Sequence, residues 1–382
     1  VKTPRPLRAT VYLVRNGPKT LPLGGVIVLA VMLVAGIVSL INSIPLSIRT
    51  IYRYSRFYIG ATPRGDAEMT PVIRSILEKE SPVKLDRIMT VRGSEIDVNS
   101  IVGKWPFVVL AVTDEDAHYY MDRMGAHDLV GRFPRDGEPE VVLSEPVARN
   151  LNKQIGSQLM GPEDPDAYSP KSVKVVGIVQ CKEWVALMSR SYHEANHFPP
   201  VDSLLAFAGN PSDQLQLDHW ALKRFKGERA RIFAYQKLEE QANTMFTILY
   251  QILNVVIGML VIVITIMMGM LFNIFLGQRL QEFGLLQALG YSRPVILRRV
   301  VFETALVVLG GWFLGLATAV GMLTVVKHQL MDPKAFSLDV FDRSAYVYTV
   351  PIPFAIFAVA VATVMFKFRR YDPVGIVERR LV

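Results

Sequence analysis

His193, Glu194 and His197 stand in the order H-E-x-x-H, the most tempting enzymatic string in this chain. On a helix that spacing sets two imidazoles on one face for a zinc ion, with the carboxylate as general base. Asp213, Asp218 and His219 follow as third-ligand candidates. Against this, Pro199 and Pro200 come at once, and a helix must end before such a pair. A zinc-protease helix holds the motif mid-element. The favoured reading is therefore a surface helix end with two titratable histidines and no metal, a membrane-anchored zinc protease being the alternative.

Other catalytic chemistry is thinly represented. A phosphate-binding loop reads G-x-x-x-x-G-K-[ST]. The chain offers only Gly103-Lys104, without the upstream glycine or the hydroxyl. No nucleotide or other cofactor is expected to bind directly, and the chain reads as a non-catalytic protein. The single cysteine, Cys181, excludes an intramolecular disulfide framework and is not placed as an N-terminal lipid anchor. It is expected to be a buried thiol at a strand end.

A different kind of site lies at Gln278–Gly321. Its first half is basic and amphipathic, and it sits between two runs without a charged residue. Phe283, Leu286, Leu289 and Tyr291 could lay into a groove on a partner or rest in a membrane interface. Glu303 is expected to pair with Arg298 or Arg299, one turn away on the same helix. Gly311-x-x-x-Gly315 lets two helices approach closely, as in a packed or dimeric membrane core.

The elements that must position these residues are set by charge. Leu21–Ile48, Gln241–Gln278, Thr304–Val326 and Ser344–Phe366 contain no Asp, Glu, Lys or Arg. Each exceeds the ~20 residues that cross ~30 Å of hydrocarbon as a helix. Pro351 and Pro353 fall in the first turns of the last run, where missing amide donors cost little. The second run would extend ~57 Å as one helix, so it should protrude as a stalk, with Lys237–Gln241 leading in. No cleaved signal peptide is expected, because the first run is too long for an h-region.

Basic residues beside the spans give the orientation. The N-terminal segment 1–20, the loop 279–303 and the tail 367–382 carry fourteen Lys and Arg against four Asp and Glu. The long segment 49–240 carries 25 against 27. Both termini and the 279–303 loop are thus expected in the cytoplasm. Spans are expected at 21–48, 241–278, 304–326 and 344–366, with 49–240 and the short loop 327–343 outside. The formal net charge of +8 is then a topology signal, not a nucleic-acid footprint. The fold class is an α-helical membrane protein of four transmembrane helices, with a large α+β extracytoplasmic domain between the first and second.

Within that domain, Phe107–Thr113 reads as a buried strand, and Thr113 and Asp116 have capping-box spacing before a helix over Asp114–Met124. Glu140–Leu143 reads as a strand, with Ser144 capping a helix over Glu145–Ile155. Gly161–Lys171 is a loop by composition. Val173–Val179, Val201–Ala208 and Ala230–Tyr235 read as strands.

These residues together resemble the FtsX-like, MacB-type permeases of ABC transporters, which include lipoprotein-releasing permeases. Arg279, Glu282, Gly284, Leu285, Leu286, Ala288, Leu289, Gly290 and Ser292 fit the family's cytoplasmic loop, although Gln287 stands where a basic residue is usual. Glu303 and the Gly310, Gly311, Gly315 cluster fit as well. Arg15-Asn16-x-x-Lys19-Thr20, Gly137–Gly156, Val175–Val179 and Asp372-Pro373-Val374 extend the likeness along the chain.

The resemblance implies a 49–240 domain of the MacB-like periplasmic core type and a multi-pass inner-membrane permease. It implies a separate cytoplasmic ABC ATPase that uses ATP and Mg, and a second permease, as homodimer or heterodimer. A periplasmic adaptor or hydrolase and membrane lipid are further partners it allows. ATPase coupling falls to Arg279, Glu282, Phe283, Gly284, Leu285, Leu286, Ala288, Leu289 and Gly290, and helix packing to Gly311 and Gly315. The work implied is mechanotransmission for export or extraction of a lipoprotein, lipid, peptide or drug; an FtsX-like regulator of a cell-wall hydrolase is the alternative.

Overall fold

Among the described residues, four helices are long and apolar enough to cross a membrane. The computed structural model describes residue 15 and residues 17–369. The remaining tail positions named above, Asn16 and Asp372-Pro373-Val374 among them, lie outside the described residues.

Helix α1 (Gly17–Ile51) leads to β1 (Ile59–Pro63), α2 (Thr70–Glu80), β2 (Leu85–Ser100) and β3 (Gly103–Val112). Then follow α3 (Asp114–Arg123), β4 (His127–Gly131), β5 (Glu140–Ser144), α4 (Glu145–Asn150), β6 (Gln158–Met160) and β7 (Val173–Gln180). Next are β8 (Ala186–Ser189), α5 (Arg190–Ala195), β9 (Ser203–Ala208), α6 (Gln214–Arg224) and β10 (Ala230–Phe233). The chain closes with α7 (Tyr235–Gln278), α8 (Leu280–Ala288), α9 (Arg293–Val326), α10 (Arg343–Thr349) and α11 (Pro351–Arg369).

Two units result. The helical unit takes the described residues up to Ile41, Ile248–Val326 and those from Asp339 onward; the sheet unit takes Asn42–Thr247 and Lys327–Leu338. The sheet unit therefore also claims the short loop after α9. Ser337 N–H donates to Ser47 Oγ (3.0 Å), and Asn150 Nδ2 donates to the Lys334 carbonyl (2.8 Å).

The sheet runs β10-β1-β9-β2-β3-β8-β5-β7-β4, with β6 on β7. Only β3–β8 and β5–β7 are parallel. Sixteen-residue β2 joins its halves, pairing with β9 over Leu85–Val91 and with β3 over Arg92–Ser100. In the first half, Ile59, Ala61, Leu204 and Ala206 pack against Ile73 and Leu77 of α2 and Leu217 and Ala221 of α6. In the second, Phe107, Val109, Leu143 and Val175 form one core, while Val142, Val179 and Leu187 form another with Tyr120 and Met121 of α3.

Several expected edges move. α4 ends at Asn150 rather than Ile155, because Asn152 turns into positive φ (51°) and the chain feeds β6. Ser144 occupies the N-cap position, but its hydroxyl accepts from Val185 N–H (2.9 Å) instead of capping. Thr113 does cap α3, its Oγ1 accepting from Asp116 N–H (3.3 Å). β9 starts at Ser203 and β10 stops at Phe233. Cys181 is buried just past β7. The helix that holds the second expected span begins at Tyr235 and runs unbroken for 44 residues.

In the helical unit, Ile27, Val31 and Val34 of α1 pack with Ile257 and Met268 of α7, Val308 of α9 and Ile352 and Ile356 of α11. The opposite faces stay apolar and open: Ile252, Met259, Ile266 and Met270 are each more than half exposed. A row of that kind fits lipid rather than water. A Cβ on Gly311 would sit 3.0 Å from Ile27 Cβ, and one on Gly315 2.7 Å from Val31 Cβ. Within the chain, the two glycines lie where α9 packs on α1.

Candidate functional site

The segment joining α7 to α9 is built around a closed ring of two arginines and two glutamates. Arg279, at the N-cap of α8, donates from Nη1 to Glu303 Oε2 (2.8 Å) and from Nε to Glu282 Oε2 (3.1 Å). Arg299 donates from Nε to Glu303 Oε1 (2.9 Å) and reaches Glu282 Oε1 at 3.5 Å. The Arg279 and Glu303 side chains are only 5% and 4% exposed. Buried charges of this kind persist only when paired and hydrogen-bonded. The ring ties the end of α7, the start of α8 and the first turns of α9 into one body.

Sequence spacing carried part of this. Arg299–Glu303 and Arg279–Glu282 are separations a helix turn brings together. Glu303 does pair with Arg299, whereas Arg298 is exposed. The bond between Arg279 and Glu303, 24 positions apart, had no periodic signal. It follows from α9 starting at Arg293, so that Glu303 lies inside a helix that doubles back on α7.

The short α8 divides its apolar residues between two directions. Phe283 is buried (2% exposed) with Leu276, Ile296, Val300 and Val364, and half-buried Leu286 and Tyr291 pack beside it. Of these three, expected to meet a partner or the membrane interface, Phe283 is instead enclosed within the chain, and Leu286 and Tyr291 keep part of their surface open. Leu285 and Leu289 are 65% and 69% exposed, and with exposed Gln281 and Ala288 they form one stripe at helical spacing. Gly284 and Gln287 are half-buried. The helix stops at Gly290, whose φ of 89° suits the left-handed position of a C-cap. Tyr291 N–H donates back to the Leu286 carbonyl (3.1 Å), closing that cap. The stripe is thus presented on a braced, sharply ended helix.

The H-E-x-x-H residues are not brought together. α5 ends at Ala195, and His197 follows with φ of 56°, exposed. His193 is fully buried, its ring stacked on Phe198 (4.1 Å) and its Nε2 3.0 Å from Ser94 Oγ. Burial, with Arg92 and Arg190 adding, lowers its pKa to about 4. Glu194 accepts from Arg190 Nε (2.7 Å), and Arg190 Nη2 donates to Asp202 Oδ1 (3.1 Å). The expected pair of surface histidines is therefore corrected to one buried and one exposed, and the two share no face. Asp218 is buried under a Gln214 donor, Asp213 accepts from Asn210, and His219 is exposed. Among the described residues, no group of three His, Cys, Asp or Glu is placed to hold a metal.

Residues 254–368 match the FtsX-like permease C-terminal family, and residues 25–206 match the MacB-like periplasmic core domain. The chain belongs to the FtsX-like, MacB-type permease family. The permease is similar to the periplasmic region of MacB from Actinobacillus actinomycetemcomitans at 14% identity and TM-score 0.28, over 51% of this chain and 95% of that one. It is also similar to the extracellular domain of the noncanonic ABC-type transporter YknZ from Gram-positive bacteria, at 10% identity and TM-score 0.29, over 46% and 99%. A domain of a permease protein from Porphyromonas gingivalis aligns at 14% identity and TM-score 0.25, over 47% and 89%. No curated protein matches the chain.

The family is one of generally non-catalytic ABC transporter permease subunits, with an ABC ATPase partner and dimeric assembly. The four apolar helices and the family make the permease a multi-pass inner-membrane protein. The ring and the α8 stripe lie inside the FtsX-like part, and the sheet lies mostly inside the MacB-like part.

Proposed function

We propose that the permease couples ATP hydrolysis by a separate cytoplasmic ABC ATPase to movement of its sheet unit outside the membrane. The observation that carries this is α8: a short helix braced by a buried ion ring, with Leu285 and Leu289 turned outward. An exposed apolar pair on an otherwise anchored helix suits a groove on a soluble partner. ATP and Mg are used by that partner. Arg279, Glu282 and Glu303 make the helix move as one piece with α7 and α9, and Phe283 and Leu286 hold it in place. Motion delivered at α8 then runs along α7, whose N-terminal turns belong to the sheet unit. Both termini lie on the ATPase side in this reading, and the substrate is a lipoprotein, lipid, peptide or drug that is exported or extracted.

Affinity capture of the permease from membranes tests the contact. The native chain should bring down an ABC ATPase, and Leu285→Asp with Leu289→Asp should lose it while still inserting. Equal ATPase recovery with the double variant would refute the docking face. Capture of a cell-wall hydrolase instead of export activity would favour the regulator reading.

A further inference from the structure

The sheet unit holds a cavity of about 690 Å³ that the coupling site does not use. Its floor is formed by β10, β1, β9, β2 and β3, on the face turned away from α2 and α6 in the first half of the sheet. Small residues keep this floor low: Gly60, Thr62, Gly93 and Ser203. The walls are aromatic, with Tyr52, Tyr54 and Tyr58 from the segment after α1, and Trp105, Trp184 and Phe233 from the sheet side. Part of this wall is fixed by hydrogen bonds. Trp105 Nε1 donates to Tyr52 Oη (2.8 Å), which donates to the Pro106 carbonyl (2.9 Å).

Two cations and two carboxylates line the cavity. Arg49 pairs with Glu239 at 3.8 Å, and the Arg231 guanidinium lies over the Phe233 ring at 4.8 Å. Glu95 also lines the cavity, is exposed, and has no ion-pair partner among the described residues. Burial, with the Glu95 charge adding, pushes the Tyr52 phenol up to about 12. Tyr52 therefore stays a neutral, hydrogen-bonded wall. The volume is that of a site for a drug-sized molecule. Aromatic faces attract cations, and an unpaired carboxylate at the same site adds to that preference.

We propose that this cavity binds a cationic amphiphile, its apolar body against the aromatic walls and its positive group at Glu95. The inference concerns the sheet unit alone and is independent of ATPase coupling, so either can fail without the other.

The full chain in nanodiscs of neutral lipid is titrated calorimetrically with tetraphenylphosphonium and with tetraphenylborate, its anionic isostere, and empty discs are subtracted. Saturable binding is expected for the phosphonium only. Glu95→Gln, which breaks no ion pair, should weaken it about fivefold. Val108→Trp, on the cavity wall, should abolish it by filling the space. Phosphonium binding no stronger than to empty discs, equal binding of the two isosteres, or binding unchanged by both substitutions would overturn the proposal.

Discussion

Most charged pairs of the sheet unit keep at least one partner well exposed, whereas the helical unit gathers four of its few charges into one buried ring. Arg224 with Glu80 is typical of the first, at 2.6 Å with 31% and 47% of the side chains exposed. Arg279 with Glu303 is at a similar distance, 2.8 Å, but almost wholly enclosed. Exposed pairs gain little, because water and salt screen them. An enclosed pair adds little net stability while intact, yet losing one partner strands a charge. Similar distances therefore carry different consequences: the surface pairs are replaceable, and the ring is a single mechanical joint.

Glu303→Ala should have the largest effect. It leaves Arg279 and Arg299 without their shared carboxylate and should cost about 3–5 kcal/mol, read by thermal or denaturant unfolding in detergent. A loss below about 1 kcal/mol would mean that the ring is solvated and the contrast false.

The sheet unit has its own buried titratable groups, which act with pH in opposite senses. His193 takes up its proton at about 4 when folded and at its ordinary 6.5 when unfolded. Between those values the unfolded chain binds more protons, so stability falls as pH falls, by up to about 3 kcal/mol. Burial raises Asp218 to about 6, with the Gln214 donor opposing. The folded state then holds more protons than the unfolded one between 3.8 and 6, and stability falls as pH rises through that range. Asp218→Asn keeps the Gln214 bond and should raise stability at pH 8 by about 2 kcal/mol, with the gain vanishing near pH 4. In that background the fall in stability from pH 6.5 to 5, above the carboxylate range, reports His193, and a flat profile there would contradict it.

Gly315→Leu should cost about 1–3 kcal/mol by forcing α9 from α1, since its Cβ would meet Val31 Cβ at 2.7 Å. An unchanged melting temperature would argue against that packing. Glu80→Ala should leave the melting temperature nearly unchanged, because water and salt screen the pair, and a loss matching that of Glu303→Ala would erase the distinction between the units.

The membrane helices were legible because charge exclusion is a signal that every residue of a span obeys. The sheet unit was only partly so. β2 was missed although it joins both halves, because its buried positions change phase: Met89 and Val91 are buried first, then Ser94, Ile96 and Val98. A period-two reading fails across that change. β8 has all four residues buried and is too short to alternate. In the segment between α7 and α9, the signature residues were found but their directions were not. Phe283 and Leu285 look alike in sequence, and only the packing of α8 against Ile296 and Val364 decides which one turns outward.

The most direct measurement is ATP turnover by the reconstituted complex of permease and ATPase, with Leu285→Asp and Leu289→Asp compared with the native chain at equal insertion. Turnover should fall to the level of the ATPase alone. Native turnover in the double variant would contradict the assignment of α8 as the coupling element.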